Sequence, residues 1–299
     1  MLRVTIDAFS GRPNPSWVVA GGDADELIRE ISRNRGALTD RGAGYAGLGF
    51  RGVELELLSD ETATAHDLPA EFKVGAGGSQ DDGRSFDLAE RIIRSMRKYA
   101  PSSPLTDSPT PLDQDLETYV LGLLQSRAPS GTQSELDGAA PAATPTDVTC
   151  YIERGKFNPG FWNTPTVQPY NNCYNYASNW RTNTFAQPGK GAGSQYTALT
   201  CPEVSRAALS DGCHRRFDCF PDAEKPRWLM AMVVAPGYDY HWYRLQQDGF
   251  WGHKPGGTAA RNTDNNGSII VNPETCARGP YTQFCGYFYS CKSQQSRIR

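Results

Sequence analysis

The chain has 299 residues, of which 38% are hydrophobic and 21% charged, a composition typical of folded domains rather than of disordered chains. Its formal net charge of -3 excludes an overall basic field of the kind that attracts nucleic acid or an anionic membrane. No apolar run approaches the ~20 residues that span a bilayer, and the first residues lack the apolar core of a secretory signal. We therefore expect a globular protein, long enough for two domains, with no nucleic-acid partner and no membrane span.

The chain begins with the pattern of a small α+β domain, predicted over residues 1–125. Leu2 to Phe9 carries β-branched and aromatic residues at alternate positions, which predicts a strand, and the breaker-rich sequence SGRPNPSW follows it. Asp23 is the predicted cap of a helix that stops at Gly36, and residues 49–58 alternate apolar and polar positions like a second strand.

Two further helices are predicted from apolar spacing. Residues 86–99 place four side chains on one helical face, and residues 112–125 place three inward. These side chains are Leu88, Ile92, Ile93 and Met96 in the first helix, and Leu116, Val120 and Leu123 in the second. Residues 126–147 then lose all periodicity and fill with Ala, Pro, Ser, Thr and Gly, the composition of a flexible linker. The role of the domain before this linker is not specified by any motif.

The second half, residues 148–299, has a different composition. It contains all eight cysteines: Cys150, Cys173, Cys201, Cys213, Cys219, Cys276, Cys285 and Cys291. This density favours disulfides, and hence an extracellular or other oxidising compartment, against the missing signal sequence. Helices are predicted at 171–180 and 201–212, and strands at 227–236, 241–246, 250–254, 268–272 and 284–290. Helices followed by a run of strands indicate an α+β domain with an antiparallel sheet.

Cys173 lies in the sequence NNCYNYASNW, at the start of a predicted helix capped by Asn171 or Asn172. A thiol in the first turn of a helix lies near the positive end of the helix dipole, which favours the thiolate, and the free amides there can hold an oxyanion. The alternative is that Cys173, Tyr176, Ala177 and Trp180 simply form the core face of the helix, with the cysteine buried or bridged. If all eight cysteines pair, Cys173 is structural.

The sequence DYHWYRLQQDGFWGHK predicts a hairpin that carries His241 on one strand and His253 on the other. A two-residue turn at Asp248 and Gly249 would send the two histidines to opposite faces. A three-residue loop with a left-handed Gly249 would pair Tyr243 with His253 and place both histidines on one face. The sequence leaves both turns open.

A cysteine at a helix start, followed by a histidine on a strand and a third polar residue on the next strand, is a workable thiol-nucleophile arrangement. In this order and spacing the second domain resembles the papain-like cysteine peptidases and amidases, in particular their NlpC-type branch. The resemblance implies a papain-like fold in which Cys173 attacks an amide carbonyl, His241 is the general base and acid, and His253 orients it. Asp264 or Asn272 are alternatives for that third role.

The resemblance further implies a peptide, peptidoglycan or protein substrate, and either hydrolysis or acyl transfer, with no cofactor. Asn172 and the amides at the helix start would stabilise the oxyanion, and Trp242 and Trp251 would line a groove for the substrate. No metal site is expected, because Cys213-His214 is the single neighbourhood that resembles a zinc ligand pair and lacks zinc-type spacing. The competing hypothesis is a non-catalytic, disulfide-stabilised secreted binding or toxin-like module. Nothing in the sequence predicts the oligomeric state.

Overall fold

The computed structural model describes residues 1–99, 111–127, 152–215 and 224–299. The chain divides into two compact units, each with helices and an antiparallel sheet, so the predicted α+β class is confirmed. Unit 1 contains Met1–Ala8 and Pro13–Ser134, and unit 2 contains Phe9–Arg12 and Glu135–Arg299. The predicted linker, apart from its first two residues, lies outside the described residues, as do Cys150 and Cys219.

Unit 1 is a four-stranded antiparallel sheet with four helices in the described residues. The strands are β1 (Leu2–Ile6), β2 (Ser16–Val19), β3 (Val53–Leu57) and β4 (Glu71–Val74), in the order β2-β1-β3-β4. The helices are α1 (Gly21–Arg33), α2 (Asp60–His66), α3 (Asp82–Ser95) and α4 (Gln114–Gln125). The first predicted strand ends at Ile6 rather than Phe9, and β2, α2 and β4 were not predicted, because each is short and weakly patterned.

Two details of the predicted helices in unit 1 are corrected. Asp23 does not cap α1, which begins at Gly21 after Ala20; its carboxylate lies inside the first turn, where it still faces the positive end of the helix. In α4 the buried residue is Leu124 rather than Leu123, because Leu124 continues the four-residue spacing of Leu116 and Val120.

A buried ion cluster in unit 1 joins β3 and β4 to Asp7, which follows β1, and to Arg51 in the loop before β3. The Asp7 carboxylate accepts hydrogen bonds from Arg51 at 2.6 Å and from Lys73 at 2.9 Å, and Lys73 also pairs with Glu54 at 3.1 Å. Burial opposes ionisation of Asp7, but the two cations outweigh it and lower the pKa of that carboxyl. Because each buried charge in this cluster faces an opposite charge, the pairing offsets the cost of removing these groups from water.

Unit 2 is a five-stranded antiparallel sheet with two helices in the described residues. The helices are α5 (Cys173–Ser178) and α6 (Cys201–Ser210), and the strands are β5 (His214–Arg215), β6 (Trp228–Ala235), β7 (Asp239–Leu245), β8 (Trp251–His253) and β9 (Gln283–Ser290). The strand order is β5-β9-β6-β7-β8. Residues 268–272, predicted as a strand, form only an isolated bridge between Ile269 and Thr263, because the turn at 264–268 leaves room for a single pair.

One face of this sheet carries the core. On β6 and β7 that face, here called the helix face, presents Met230, Met232, Val234, Tyr240 and Trp242, which pack with residues of α5 and α6. Neighbouring strand positions alternate between the two faces. Asp239, His241 and Tyr243 therefore belong to the opposite face, here called the histidine face.

Close packing fixes α5 over β7 and β8. A Cβ on Gly252 would lie 2.2 Å from the Tyr176 hydroxyl, so this position in β8 excludes any side chain. Arg244 of β7 donates to the Tyr176 carbonyl at 2.6 Å. A disulfide between Cys201 and Cys285 joins the start of α6 to β9. In the described part of the chain, no helix has the length and apolar character needed to cross a bilayer.

Candidate functional site

The start of α5 is fixed by asparagines. The Asn172 side chain accepts from the backbone N–H groups of Tyr174 and Asn175, and the Asn175 side chain accepts in return from the Asn172 N–H. This reciprocal capping confirms Asn172 as the cap. The helix is only six residues long and ends at Asn179 in a left-handed conformation. With so few aligned peptide units, the dipole of α5 is weak.

Cys173 is the first residue of α5 and is fully buried on the helix face. Its sulfur lies 3.9 Å from the Tyr240 carbonyl oxygen. Burial is the main cause that raises the pKa of the thiol well above its usual value, and the nearby Asp239 carboxyl adds to the rise. The Trp242 N–H and the Lys254 ammonium act in the opposite direction but are outweighed. At neutral pH Cys173 is therefore a thiol rather than a thiolate.

The donors around the start of α5 converge on a carbonyl of the same unit. The Gly11 carbonyl oxygen accepts from Asn172 at 2.7 Å, from Gln187 at 2.8 Å and from the Tyr240 hydroxyl at 3.0 Å. The side-chain amide of Asn172, predicted to stabilise an oxyanion, donates to the Gly11 carbonyl, and its role towards an oxyanion stays a prediction. Gln187 and Tyr240 were missed by the sequence reasoning, because their partner is more than fifty residues away along the chain.

The hairpin between β7 and β8 resolves the two turns left open by the sequence. Gln246 bonds to Phe250 across a three-residue loop, Gly249 is left-handed at φ 83°, and Tyr243 pairs with His253. Both histidines consequently lie on the histidine face. The longer loop is confirmed.

The two imidazoles form a short relay. His241 Nε2 lies 2.8 Å from His253 Nδ1, and His253 Nε2 lies 2.9 Å from the Thr263 carbonyl oxygen. A carbonyl only accepts, so His253 Nε2 carries a proton and its Nδ1 accepts from His241 Nε2. Burial, with the positive charge of Arg261, lowers the pKa of His253 to about 3. His253 is therefore neutral over the physiological range.

The structure brings His241 and His253 into hydrogen-bonding contact, and it places Cys173 in the hydrophobic core cluster of unit 2. The Cys173 side chain packs among Tyr240 and Trp242 on the helix face, whereas the His241 ring contacts Tyr243 at 4.7 Å between ring centroids on the histidine face. The assignment of catalytic roles to these residues stays a prediction.

The remaining predicted site residues have structural contacts. Asp264 accepts from the backbone N–H groups of Asn266, Ser268 and Ala277, so its carboxylate organises a turn. Trp242 is fully buried, with its ring 5.2 Å from that of Phe288, and Trp251 is 5% exposed. Asn272, the other alternative for the third role, accepts from the Glu274 N–H in a loop.

Three further described cysteines, besides Cys173, lie outside the disulfide. The described cysteines outside the disulfide are Cys173, Cys213, Cys276 and Cys291, of which only Cys276 has partial exposure. Among the residues that the structure describes, no group of three His, Cys, Asp or Glu side chains is arranged to hold a metal ion.

The neutral histidine pair predicts a pH dependence of stability. In the unfolded chain His253 titrates near its ordinary pKa of about 6.5, so it binds a proton that the folded form excludes down to about pH 3. The folding free energy contributed by the neutral ring is complete above pH 6.5 and falls as the pH falls from 6.5 towards 3. We expect the neutral His253 ring by itself to account for a loss of roughly 2–3 kcal/mol between pH 7 and pH 4.5.

This pH effect is measured by denaturant unfolding at several pH values, with His253→Gln and His66→Gln as the two variants. His253→Gln should show a shallower dependence on pH, and His66→Gln, in unit 1, should keep the wild-type dependence. Asp211 acts in the opposite sense, because burial raises its pKa to about 6 and its stabilising contribution is lost as the pH rises. Equal slopes for the wild type and His253→Gln would contradict the assignment.

The chain was compared with protein-family models, solved structures and curated proteins. No family model matches the chain, and no solved structure matches it. The chain is 49% identical over 132 residues to "Insoluble matrix shell protein 1" of Ruditapes philippinarum. The alignment covers 44% of this chain and 87% of that protein.

Proposed function

The chain belongs to the family of insoluble matrix shell protein 1, and from this membership we propose that it is a non-catalytic, disulfide-stabilised secreted module with a structural role in a matrix. The carrying observation is the 49% identity across 87% of the relative. An identity of this level over most of a protein favours a shared fold and a related physical role. The relative's name describes an insoluble matrix component, and we transfer that role to this chain as the proposal.

The state of the buried groups supports a structural role. The Cys173 thiol is enclosed and protonated, and the Asn172 amide is engaged with Gly11. Donors that already hold the protein's own backbone lower the energy of the folded chain rather than of a bound transition state. The disulfide between Cys201 and Cys285 agrees with an oxidising, secreted environment.

Exposed apolar side chains give the module a surface for contacts. Val271 is 66% exposed, Ile269 is 43% exposed and Phe250 is 39% exposed. Ile270 lies between the first two and is buried, and its carbonyl accepts from the Trp251 N–H beside β8. Burying the exposed part of these three side chains against another copy or a matrix polymer would gain roughly 0.5–2 kcal/mol each.

The proposal is tested by self-assembly of the purified full chain. We expect assemblies that sediment increasingly as the protein concentration rises, with an unchanged circular dichroism spectrum. The double variant Ile269→Asp/Val271→Asp should stay monomeric, while Ser268→Asp, which adds one charge to the same exposed turn, should assemble like the wild type. A wild-type chain that remains monomeric up to millimolar concentration would overturn self-assembly as the structural role.

The second candidate function is a thiol-dependent amidase or peptidase of the papain-like type. It is favoured by the hydrogen bond between His241 and His253 and by its extension to Thr263, a relay that fixes imidazole tautomers as a catalytic triad requires. Its weakness is the raised pKa of the Cys173 thiol.

Alkylation separates the two candidates. For the structural module we expect Cys173 to resist iodoacetamide at pH 7 in the native chain and to react only after denaturation, with the partly exposed Cys276 as the internal reference. Rapid native alkylation of Cys173, slowed by His241→Ala, would support the amidase instead.

A further inference from the structure

A second buried cluster in unit 2 combines a thiol, an amide, a phenol and a carboxyl. Tyr174 belongs to α5, Asp211 follows the end of α6, Cys213 precedes β5, and Gln294 lies in the short 3-10 helix after β9. All four side chains are at most 2% exposed. Among them only Cys213 was considered from the sequence, as half of a zinc-like pair with His214 that was rejected.

The thiol and the amide are in close contact. Gln294 Nε2 lies 2.8 Å from Cys213 Sγ and 2.8 Å from the Tyr174 hydroxyl oxygen. The other buried thiols keep longer contacts, 3.9 Å for Cys173 and 3.1 Å for Cys291. The nitrogen and oxygen of a glutamine amide can be exchanged by flipping the side chain. Because Cδ is bonded to both atoms, it lies next to the Cys213 sulfur in either orientation.

The amide nitrogen of Gln294 has partners, but its oxygen has none among the described residues. Gln294 Oε1 is buried, and within the described residues no donor reaches it. A buried polar atom that lacks a hydrogen bond costs about 1–3 kcal/mol and calls for an explanation. A reaction between this carbonyl group and the adjacent thiol would explain the unpaired oxygen, because the reaction converts the amide into a different functional group.

We propose that Cys213 and Gln294 condense to an internal thioester. The sulfur attacks Gln294 Cδ, a C–S bond forms, and the C–N bond breaks with its electron pair leaving on nitrogen. The thiol proton ends on the nitrogen, so the products are a thioester and one molecule of ammonia. The atoms balance without an oxidant, a metal or a cofactor.

Tyr174 and Asp211 are positioned to move that proton. The Tyr174 hydroxyl lies 3.8 Å from Cys213 Sγ, accepts from Gln294 and donates to Asp211 at 3.0 Å. Burial raises the pKa of Asp211 to about 6, so its carboxyl exchanges protons readily near neutral pH. The phenol thus connects the nucleophile, the leaving nitrogen and a group that can take up and return one proton. Burial raises the pKa of the Cys213 thiol, which makes this assistance necessary.

The product would be an acyl donor enclosed in the core of unit 2. A primary amine displaces the thiol of a thioester and takes the Gln294 acyl group as an amide, which restores a free Cys213. The chemical class of its reaction partner is therefore a primary amine. This inference goes beyond the proposed function, and its outcome does not depend on whether the chain self-assembles.

The test is the intact mass of the full chain, purified without added amines and denatured without reductant. We expect a mass below that of the sequence by one ammonia, beyond the hydrogens lost to disulfides. Treatment with methylamine should add the mass of one methylamine and expose one new thiol. Peptide mapping of the untreated chain should yield a crosslinked product that contains Cys213 and Gln294.

Four variants locate the change. Gln294→Glu, which keeps the shape but removes the leaving nitrogen, and Cys213→Ser should both keep the full mass and ignore methylamine. Cys173→Ser, which alters another buried thiol, should still lose ammonia. Asn266→Ala should also lose it, which excludes a ring-closed succinimide at Asn266-Gly267 as the source of the loss.

The wild-type measurement decides the outcome even if a variant fails to fold. A full-length mass with an intact Gln294 side chain and a Cys213 that is alkylated after denaturation would overturn the thioester. A disulfide between Cys213 and Cys291, seen as a loss of two hydrogens and a linked peptide pair, would overturn it equally.

Discussion

Replacing both Cys201 and Cys285 by alanine is expected to lower the free energy of unfolding of unit 2 by about 3–5 kcal/mol. The disulfide closes a loop with a sequence separation of 84 residues, and the Cα atoms lie 5.2 Å apart, within the usual range for disulfides. Opening a loop of this length returns a large conformational entropy to the unfolded chain. The bridge also fastens the start of α6 to β9, so its loss loosens the packing on the helix face.

The measurement is denaturant unfolding followed by tryptophan fluorescence, because five of the six tryptophans belong to unit 2. Cys276→Ala, which removes a partly exposed thiol outside the disulfide, is the matched control and should change stability by less than about 1 kcal/mol. Reductant should destabilise the wild type as much as the double substitution does, and should leave the double variant unchanged. A wild type that is insensitive to reductant would contradict the prediction.

The parts of the fold that could be predicted from sequence are those set by local periodicity and capping. The spacing of Leu88, Ile92 and Met96 gave α3, and the apolar runs gave β6 and β9. Asn172 was a predictable cap because its side chain bonds within three residues of itself. The turn before Phe250 also depends on a few neighbouring residues, so the sequence limited it to two alternatives, one of which was the three-residue loop.

What could not be predicted depends on contacts between distant residues. Phe9–Arg12 was predicted to belong to the first domain but belongs to unit 2, because its backbone bonds to residues more than two hundred positions later. The pairing of Cys201 with Cys285 had no signal, since eight cysteines allow many connectivities. The strand β5, with two residues, is too short for any periodic pattern.

The candidate site shows the same division. The sequence predicted a cysteine at a helix start and two histidines on one hairpin. In the structure Cys173 is the first residue of α5, and His241 and His253 lie on the hairpin of β7 and β8. It did not indicate which sheet face would receive α5, and that choice follows from the packing of Tyr174 and Trp242 in the core. The rings of Tyr174 and Trp242 lie 5.5 Å apart between centroids, a contact that no spacing along the chain encodes.

Asp239→Asn is expected to destabilise unit 2 by about 3–5 kcal/mol, because a buried carboxylate there satisfies a set of donors that an amide cannot. Its two oxygens accept from the backbone N–H groups of Ser10, Gly11 and Arg12, and from the Tyr281 hydroxyl at 2.6 Å. An asparagine replaces one acceptor oxygen with a donating NH2 group. Donors would then face donors inside the core, and at least one backbone N–H would lose its partner.

The effect is measured by the same unfolding experiment, with Asp248→Asn as the control, since Asp248 is exposed in the turn before β8 and carries the identical chemical change. Tyr281→Phe should give an intermediate loss, because the hydroxyl contributes one bond to Asp239 and one to Ser10. The order of stabilities, Asp248→Asn above Tyr281→Phe above Asp239→Asn, follows from counting the buried donors that each change leaves without an acceptor. An Asp239→Asn chain as stable as Asp248→Asn would mean that Ser10 to Arg12 are held by the bonds to the Gly11 carbonyl alone, and that the carboxylate adds nothing to them.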